Sequence, residues 1–369
     1  MYTVFDYLDW RGDLSLDASP LCEVDSVILS RLSYIPFDGI VPETFLSGIT
    51  LKDAAEKFLS MPEPSKMVYM EEDLTLLIKM AASRRFGHMA LCGYINQFDP
   101  ATEKQFCALA IRLDGKNTFI SFRGTDNTLV GWKEDFNMSF MCPVPSQESA
   151  VEYLEEAMHR LRGSFIVAGH SKGGNLAVYS SAFCKEPLQQ RISKVYNFDG
   201  PGFEHRILNE PGYKRICGRV TTFIPQSSIV GMMLEHEEEY ITIKSAEKIS
   251  PLQHDVYSWL LMRTEFLRLE TITSDARFID HTLKDMVKNL TPQQREKFID
   301  SVYQVFASTG AHTLKDINEN VFESGKAIIG SLMGMDEETR EILSHTIRVF
   351  LQSAKKSMAM MAEKERHLI

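Results

Sequence analysis

The stretch Phe165-Ile166-Val167-Ala168-Gly169-His170-Ser171-Lys172-Gly173-Gly174-Asn175-Leu176-Ala177-Val178-Tyr179 constrains this chain more than any other. Four unbroken apolar residues, Phe165 to Ala168, read as a strand inside a parallel sheet, and the residues from about Gly173 to Cys184 read as a helix. Between them, Gly169-His170-Ser171-Lys172-Gly173 fits G-x-S-x-G, the pattern of a serine on a sharp strand-to-helix turn. Neighbouring backbones approach so closely in such a turn that only glycine avoids a clash, which accounts for Gly169 and Gly173. Gly174 then lets the helix lie close to the sheet. The Lys172 N–H stands at the positive end of that helix, where a developing oxyanion is stabilised; its ammonium is expected to be solvated. Ser171 is therefore expected to be a nucleophile.

The surrounding pattern supplies the frame. Met1 to about Met80 reads mainly as helix, with apolar residues at helical spacing in DSVILSRLSYI and LKDAAEKFL. From His88 the period shortens, and HMALCGYI, QFCALAIRL and NTFISF read as consecutive strands. A helix from Ser149 to Arg162 then leads into the strand before Ser171. KVYNF, RVTTFI and EYITIK continue as strands with helical or irregular connections, the signature of βαβ units. Beyond about Trp259 no further strand is expected. Thr291-Pro292-Gln293-Gln294 predicts a capped helix start, and Asp336 a cap for a long final helix. The Met-rich end SMAMMAEKE of that helix suits packing on its own protein better than docking on a membrane or partner. The expected fold is thus an α/β-hydrolase, a mostly parallel sheet flanked by helices. Residues 1–260 would form it, with a helical entry over 1–80 and a lid-like segment at about 126–146, followed by an all-helical segment over 261–369.

A serine nucleophile needs a base, and the base an orienting acid; in this fold they follow in the order Ser, Asp or Glu, His. Downstream, His205, His236 and His254 fall within the expected sheet region. His254, in the loop after the last predicted strand, is the first choice, while His170 is expected to support the turn. Asp199 leaves the sheet directly after KVYNF and is the preferred acid, with a backbone-bonded turn aspartate as the alternative. Asp255 adjoins His254 in sequence, and neighbouring side chains usually diverge. Upstream, NTFISF ends in Phe122-Arg123-Gly124-Thr125, so Thr125 can offer a hydroxyl and an N–H to an oxyanion hole.

Composition narrows the partners. A net charge of -10 argues against nucleic acid or an anionic membrane as a partner. Neither a leader-like start nor a run of 18 apolar residues is present in the sequence, so a cytoplasmic location is expected, with peripheral membrane contact still allowed. Six cysteines without CxxC or metal-ligand spacing suit reduced thiols, and no metal or organic cofactor is expected.

These residues resemble the class 3 lipases: FRGT at a strand end, Trp132 with Asp135 three residues on, and GHSKGG in place of GHSLGG. More closely, DYLDWRGDLSL, GHSKGGNLAVY, NFDGPGF, SSIVGM and QHDVYSW resemble the bacterial Mbeg1-like group. The resemblance implies a hydrolase of carboxylic esters or lipids working through an acyl-enzyme, with Ser171, His254, Thr125 and the Lys172 N–H in the roles above. It also implies a lid around Gly131, with Leu129 and Trp132 as its apolar contacts. Class 3 lipases carry their acid in D-[IV]-V-P, where this chain reads Ser228-Ile229-Val230-Gly231. That departure favours Asp199, one strand earlier. Thioesterase, peptidase and acyltransferase chemistry would use the same residues, and a ligand- or partner-binding protein on a hydrolase fold is the reading from another class.

Overall fold

Eight strands lie side by side in chain order in one mixed sheet: β1 (Ile49–Thr50), β2 (Ala90–Asp99), β3 (Lys104–Arg112), β4 (Asn117–Phe122), β5 (Ser164–His170), β6 (Ile192–Phe198), β7 (Val220–Pro225) and β8 (Tyr240–Ile243). β1 pairs with β2 and β3 with β4 antiparallel, whereas β4 through β8 are parallel. In the computed structural model the described residues are 2–125, 134, 137, 138, 142–228, 230–247 and 250–271, then 291, 293, 294, 297, 337 and 341. They fall in two compact units: Met1–Phe98, Phe106–Gly124 and Ser146–Ile272 in the first, Asp99–Gln105, Thr125–Pro145 and Thr273–Ile369 in the second.

In the first unit, alternation along the parallel strands sends Phe119, Ala168, Phe198 and Phe223 to one face, where Leu29, Phe37, Phe58, Leu77 and Trp259 join them in the core. Full burial of each such aromatic or aliphatic side chain contributes roughly 1.5–3 kcal/mol. The helix Glu23–Arg31 packs against β4 and β5 and is buried from Val24 to Arg31. Its two charged ends are paired. Arg85 bonds Asp25 through Nε at 2.6 Å, and Arg31 forks onto Asp73 at 2.6–2.9 Å. Both pairs are fully buried, so removing one partner would strand a charge in the interior. The helix Lys172–Phe183 covers β5 and β6 and is buried from Lys172 to Ala182.

In the second unit, the β2–β3 turn is closed by Asp99, whose carboxylate accepts from Ala101 N at 2.9 Å and Thr102 Oγ1 at 2.8 Å. Glu134 accepts from Gln105 N, and Asn137 donates to Glu103. The capping box foreseen at Thr291 is formed: Thr291 N donates to Gln294 Oε1 at 2.9 Å, and Gln294 N to Thr291 Oγ1 at 3.2 Å. Asp336 and the Met-rich end lie outside the described residues.

The α/β expectation holds, with the strands where the pattern put them. Two short pieces differ. β1 interrupts the helical entry, and β9 (Leu261–Met262) pairs with β10 (Glu265–Phe266) beyond Trp259, where no strand was expected. Two-residue strands carry no period, and the hairpin turn uses Arg263 at φ 63°, a residue type that gives no turn signal. Among the described residues no helix is long and apolar enough to cross a membrane, and no group of three or more His, Cys, Asp or Glu converges to hold a metal ion.

Candidate active site

The parallel half of the sheet brings its C-terminal strand ends to one edge, the usual position for a site in this architecture. His170 and Phe198 are register partners in β5 and β6, so the residues that follow them, Ser171 and Asp199, leave adjacent strand tips. Ser171 N donates to Phe198 O at 2.9 Å, and Asp199 N to Phe223 O at 2.9 Å, which ties each tip to the next strand.

Ser171 has φ 60° and ψ -136° and immediately precedes the helix Lys172–Phe183. That backbone region costs a non-glycine residue about 1–3 kcal/mol and is held by its surroundings. A Cβ on Gly169 would stand 2.2 Å from the Gly173 carbonyl carbon, and one on Gly173 2.1 Å from Phe122 O. Both glycines are therefore required by contact, as the motif implied. Lys172 opens the helix, but its side chain is buried (1% exposed), contrary to the solvated lysine expected, because the helix lies flat in the interior.

Asp199 is fully buried, at φ 54°. Its Oδ2 accepts from His254 Nδ1 at 2.7 Å and from Ser228 Oγ at 2.7 Å. Because the carboxylate can only accept, His254 carries its proton on Nδ1 and leaves Nε2 as the basic nitrogen. Burial pushes the Asp199 carboxyl above its usual range, opposed by the bonds and charge of His254, by Ser228 and by the nearby amide of Gly231. The alternative of a merely backbone-bonded turn aspartate does not describe this side chain. Asp255 instead caps the following turn, accepting from Tyr257 N at 2.9 Å.

His254 lies between the helix Ser250–Gln253 and the 3-10 turn Val256–Ser258, with its side chain 24% exposed. Gln253 fastens this loop: its side chain accepts from Ser227 N at 2.8 Å, and its carbonyl accepts from the Trp259 indole at 2.8 Å. His170 fastens it from the elbow. His170 Nε2 donates to His254 O at 2.8 Å, and the two rings lie 4.5 Å apart. Burial, His254 and Arg31 hold the His170 pKa well below the ordinary histidine value, so its ring is neutral with Nδ1 unprotonated. Tyr34 OH lies 3.2 Å from that nitrogen, accepts from Gly124 N at 3.0 Å, and carries the Arg31 guanidinium 3.7 Å over its ring. Tyr257 OH reaches Asp73 at 2.6 Å, which closes a network from the buried ion pair to the loop that carries His254.

Of His205, His236 and His254, it is His254 that meets Asp199. The His205 side chain is 79% exposed beside Glu235, and His236 faces Glu238 and Gly231 O. Thr125 follows Gly124 as a residue of the second unit. Leu129 and Trp132, the expected lid contacts, lie outside the described residues. Sequence reasoning missed Tyr34, Gln253 and the part played by Ser228: Tyr34 is remote in sequence from His170, and although Gln253 and Ser228 stand in the stretches QHDVYSW and SSIVGM, their bonds to Ser227 and Asp199 run between separate segments.

No curated protein matches the sequence. Among solved structures, the M37 lipase shares 15% identity and a TM-score of 0.34, covering 56% of this chain and 68% of its own. The lipase–propeptide complex of Rhizomucor miehei shares 12% identity and a TM-score of 0.33, covering 58% and 66%. The family match is broader: residues 80–304 fit the Mbeg1-like family, a span that takes in every strand from β2 to β10 and the residues of the elbow, Asp199 and His254. The chain belongs to the Mbeg1-like family, which is related to the α/β-hydrolases.

Proposed function

We propose that this protein is a serine hydrolase of carboxylic esters, lipid esters included. The observation that carries the reading is the 2.7 Å bond from His254 Nδ1 to the buried Asp199 carboxylate, set one strand tip from a serine on a strained elbow. Ser171 Oγ attacks the ester carbonyl while His254 Nε2 takes its proton, and the Lys172 N–H receives the oxyanion. The intermediate collapses as His254 returns the proton to the leaving alcohol, which leaves an acyl group on Ser171. Water, deprotonated by His254, then attacks that acyl carbon, and the acid departs as Ser171 regains its proton. Asp199 holds the imidazole in the tautomer that this sequence needs and stabilises the imidazolium. The location proposed for this chemistry is the cytoplasm.

A series of p-nitrophenyl esters of increasing acyl length, with matched thioesters and anilides, tests the reaction class. Ester turnover with saturation, abolished in Ser171→Ala, is the expected result. Absence of turnover on all three series would favour a binding protein on this fold, and preference for thioester or anilide would move the assignment to that class.

A further inference from the structure

His236 is not the base, yet it is almost as well enclosed as the acid. Its side chain is 6% exposed and that of its partner Glu238 is 1% exposed. His236 Nδ1 lies 3.0 Å from Glu238 Oε1, and His236 Nε2 lies 2.8 Å from Gly231 O. A carboxylate and a carbonyl both accept only, and a neutral imidazole has one donor nitrogen. The ring satisfies both contacts only as an imidazolium. Glu238 is prepared for such a partner: Thr222 Oγ1 donates to it at 2.6 Å and Tyr213 OH donates as well. Burial would raise its carboxyl, but His236, Thr222 and Tyr213 bring it down to about 2.

The residues that His236 clamps lie against the acid. Gly231, in the 3-10 turn Val230–Met232, covers Asp199 so closely that a Cβ there would stand 2.2 Å from Oδ1, an oxygen with no hydrogen-bond partner among the described residues. Gly231 N donates to Ser228 Oγ at 3.3 Å, the hydroxyl that bonds Asp199 Oδ2. Two residues further on, the same loop pairs with the turn that follows Asp199: Gly202 N donates to Met233 O and Phe203 N to Glu235 O, both at 2.8 Å. The loop from Val230 to Glu238 thus grips the Asp199 turn at two points, and His236 joins its two ends.

We propose that His236 is a positioning residue for Asp199: as an imidazolium donating from both ring nitrogens, it staples the Gly231 turn over the carboxylate that orients His254. This rests on the serine-hydrolase reading for its catalytic meaning, though the geometry of the staple stands apart from it. The groups facing the ring are Glu238, with Tyr213 behind it, and the Tyr240 ring at 6.4 Å; on the same loop, Glu235 lies near His205 and Glu237 is paired with Lys214.

Histidine-selective nitrogen-15 NMR of the full chain, with the low-field proton of the Asp199–His254 bond as a second signal, reads the staple without any substrate. The expected result is a proton on each His236 ring nitrogen in the folded chain, and in His236→Gln a low-field signal that is shifted or lost and changed His254 nitrogen-15 shifts. Ester turnover of that variant, counted per active site by burst titration and with a wild-type circular-dichroism spectrum, should fall roughly tenfold in kcat with KM kept. Singly protonated His236 in the wild type overturns the proposal even if the variant does not fold. So does a folded His236→Gln with the wild-type low-field signal and His254 nitrogen-15 shifts. If the wild type hydrolyses no ester while these signals shift as expected, the hydrolase reading fails and the staple stands. If it hydrolyses esters and the signals do not move, the reverse holds.

Discussion

Ser228 donates its hydroxyl to the same Asp199 oxygen that receives the His254 Nδ1–H, each at 2.7 Å. The position to which the class 3 lipase pattern assigns the acid holds, in this chain, a hydroxyl that serves an acid on the neighbouring strand. The imidazole and the hydroxyl therefore share one carboxylate oxygen, supplied from the strand tip next to the one that Ser228 follows.

Ser228→Ala removes a side-chain donor from a fully buried carboxylate. A bond to a charged group contributes about 1.5–3 kcal/mol to stability, and kcat loses the part of it that strengthens as the imidazolium forms, so a fall of up to roughly tenfold is expected. Loss of the donor also raises the Asp199 carboxyl further, in the direction burial already pushes it. Steady-state kinetics with a circular-dichroism melt check this; wild-type kcat in a folded Ser228→Ala would show that Asp199 needs only His254.

Gly173→Ala tests the elbow. The added carbon would fall 2.1 Å from Phe122 O, a backbone atom at the tip of β4 held by the β4–β5 pairing. Destabilisation above about 4 kcal/mol is expected, at the extreme of single substitutions. Urea unfolding of the variant beside Gly115→Ala, whose added carbon meets nothing within 4 Å, supplies the comparison.

Acid should destabilise the protein in two windows. His170 has a folded pKa below the ordinary 6.5, so the unfolded chain takes up its proton first. Its contribution is complete above about 6.5 and is lost as the pH falls toward the folded value. Glu238 moves from 4.5 to about 2, so its contribution is complete above 4.5 and disappears as the pH falls toward 2. Asp199 runs the other way: its folded pKa is raised, so its contribution is present at low pH and lost as the pH rises through that value. In unfolding experiments across pH, His170→Asn should flatten the upper window and Glu238→Gln the lower. An unchanged slope in either variant would contradict the assignment to that residue.

Much of this site was readable from the sequence because its signals are local. The apolar run into Gly169 needs no partner to be read as a buried strand, and the glycines around Ser171 report a backbone contact made within five residues. Asp199 was harder, since its choice over the Ser228 position depends on which strand tip faces His254, a matter of register between β6 and β7. Tyr34 lies 136 residues from the histidine it contacts and joins it only through the packing of the helical entry on the sheet. His236 was read as a candidate base because a histidine's tasks look alike until its acceptors are seen. β1 and the β9–β10 hairpin carry too few residues to show a period at all.

The most direct measurement is active-site labelling with a fluorophosphonate probe, read by intact mass and peptide mapping. One adduct per chain on Ser171 is expected in the wild type, with none in Ser171→Ala and strongly slowed labelling in His254→Ala and Asp199→Asn, the latter by about 10⁴-fold through loss of tautomer control. No adduct in the wild type near neutral pH, or an adduct that persists in Ser171→Ala, would contradict the account.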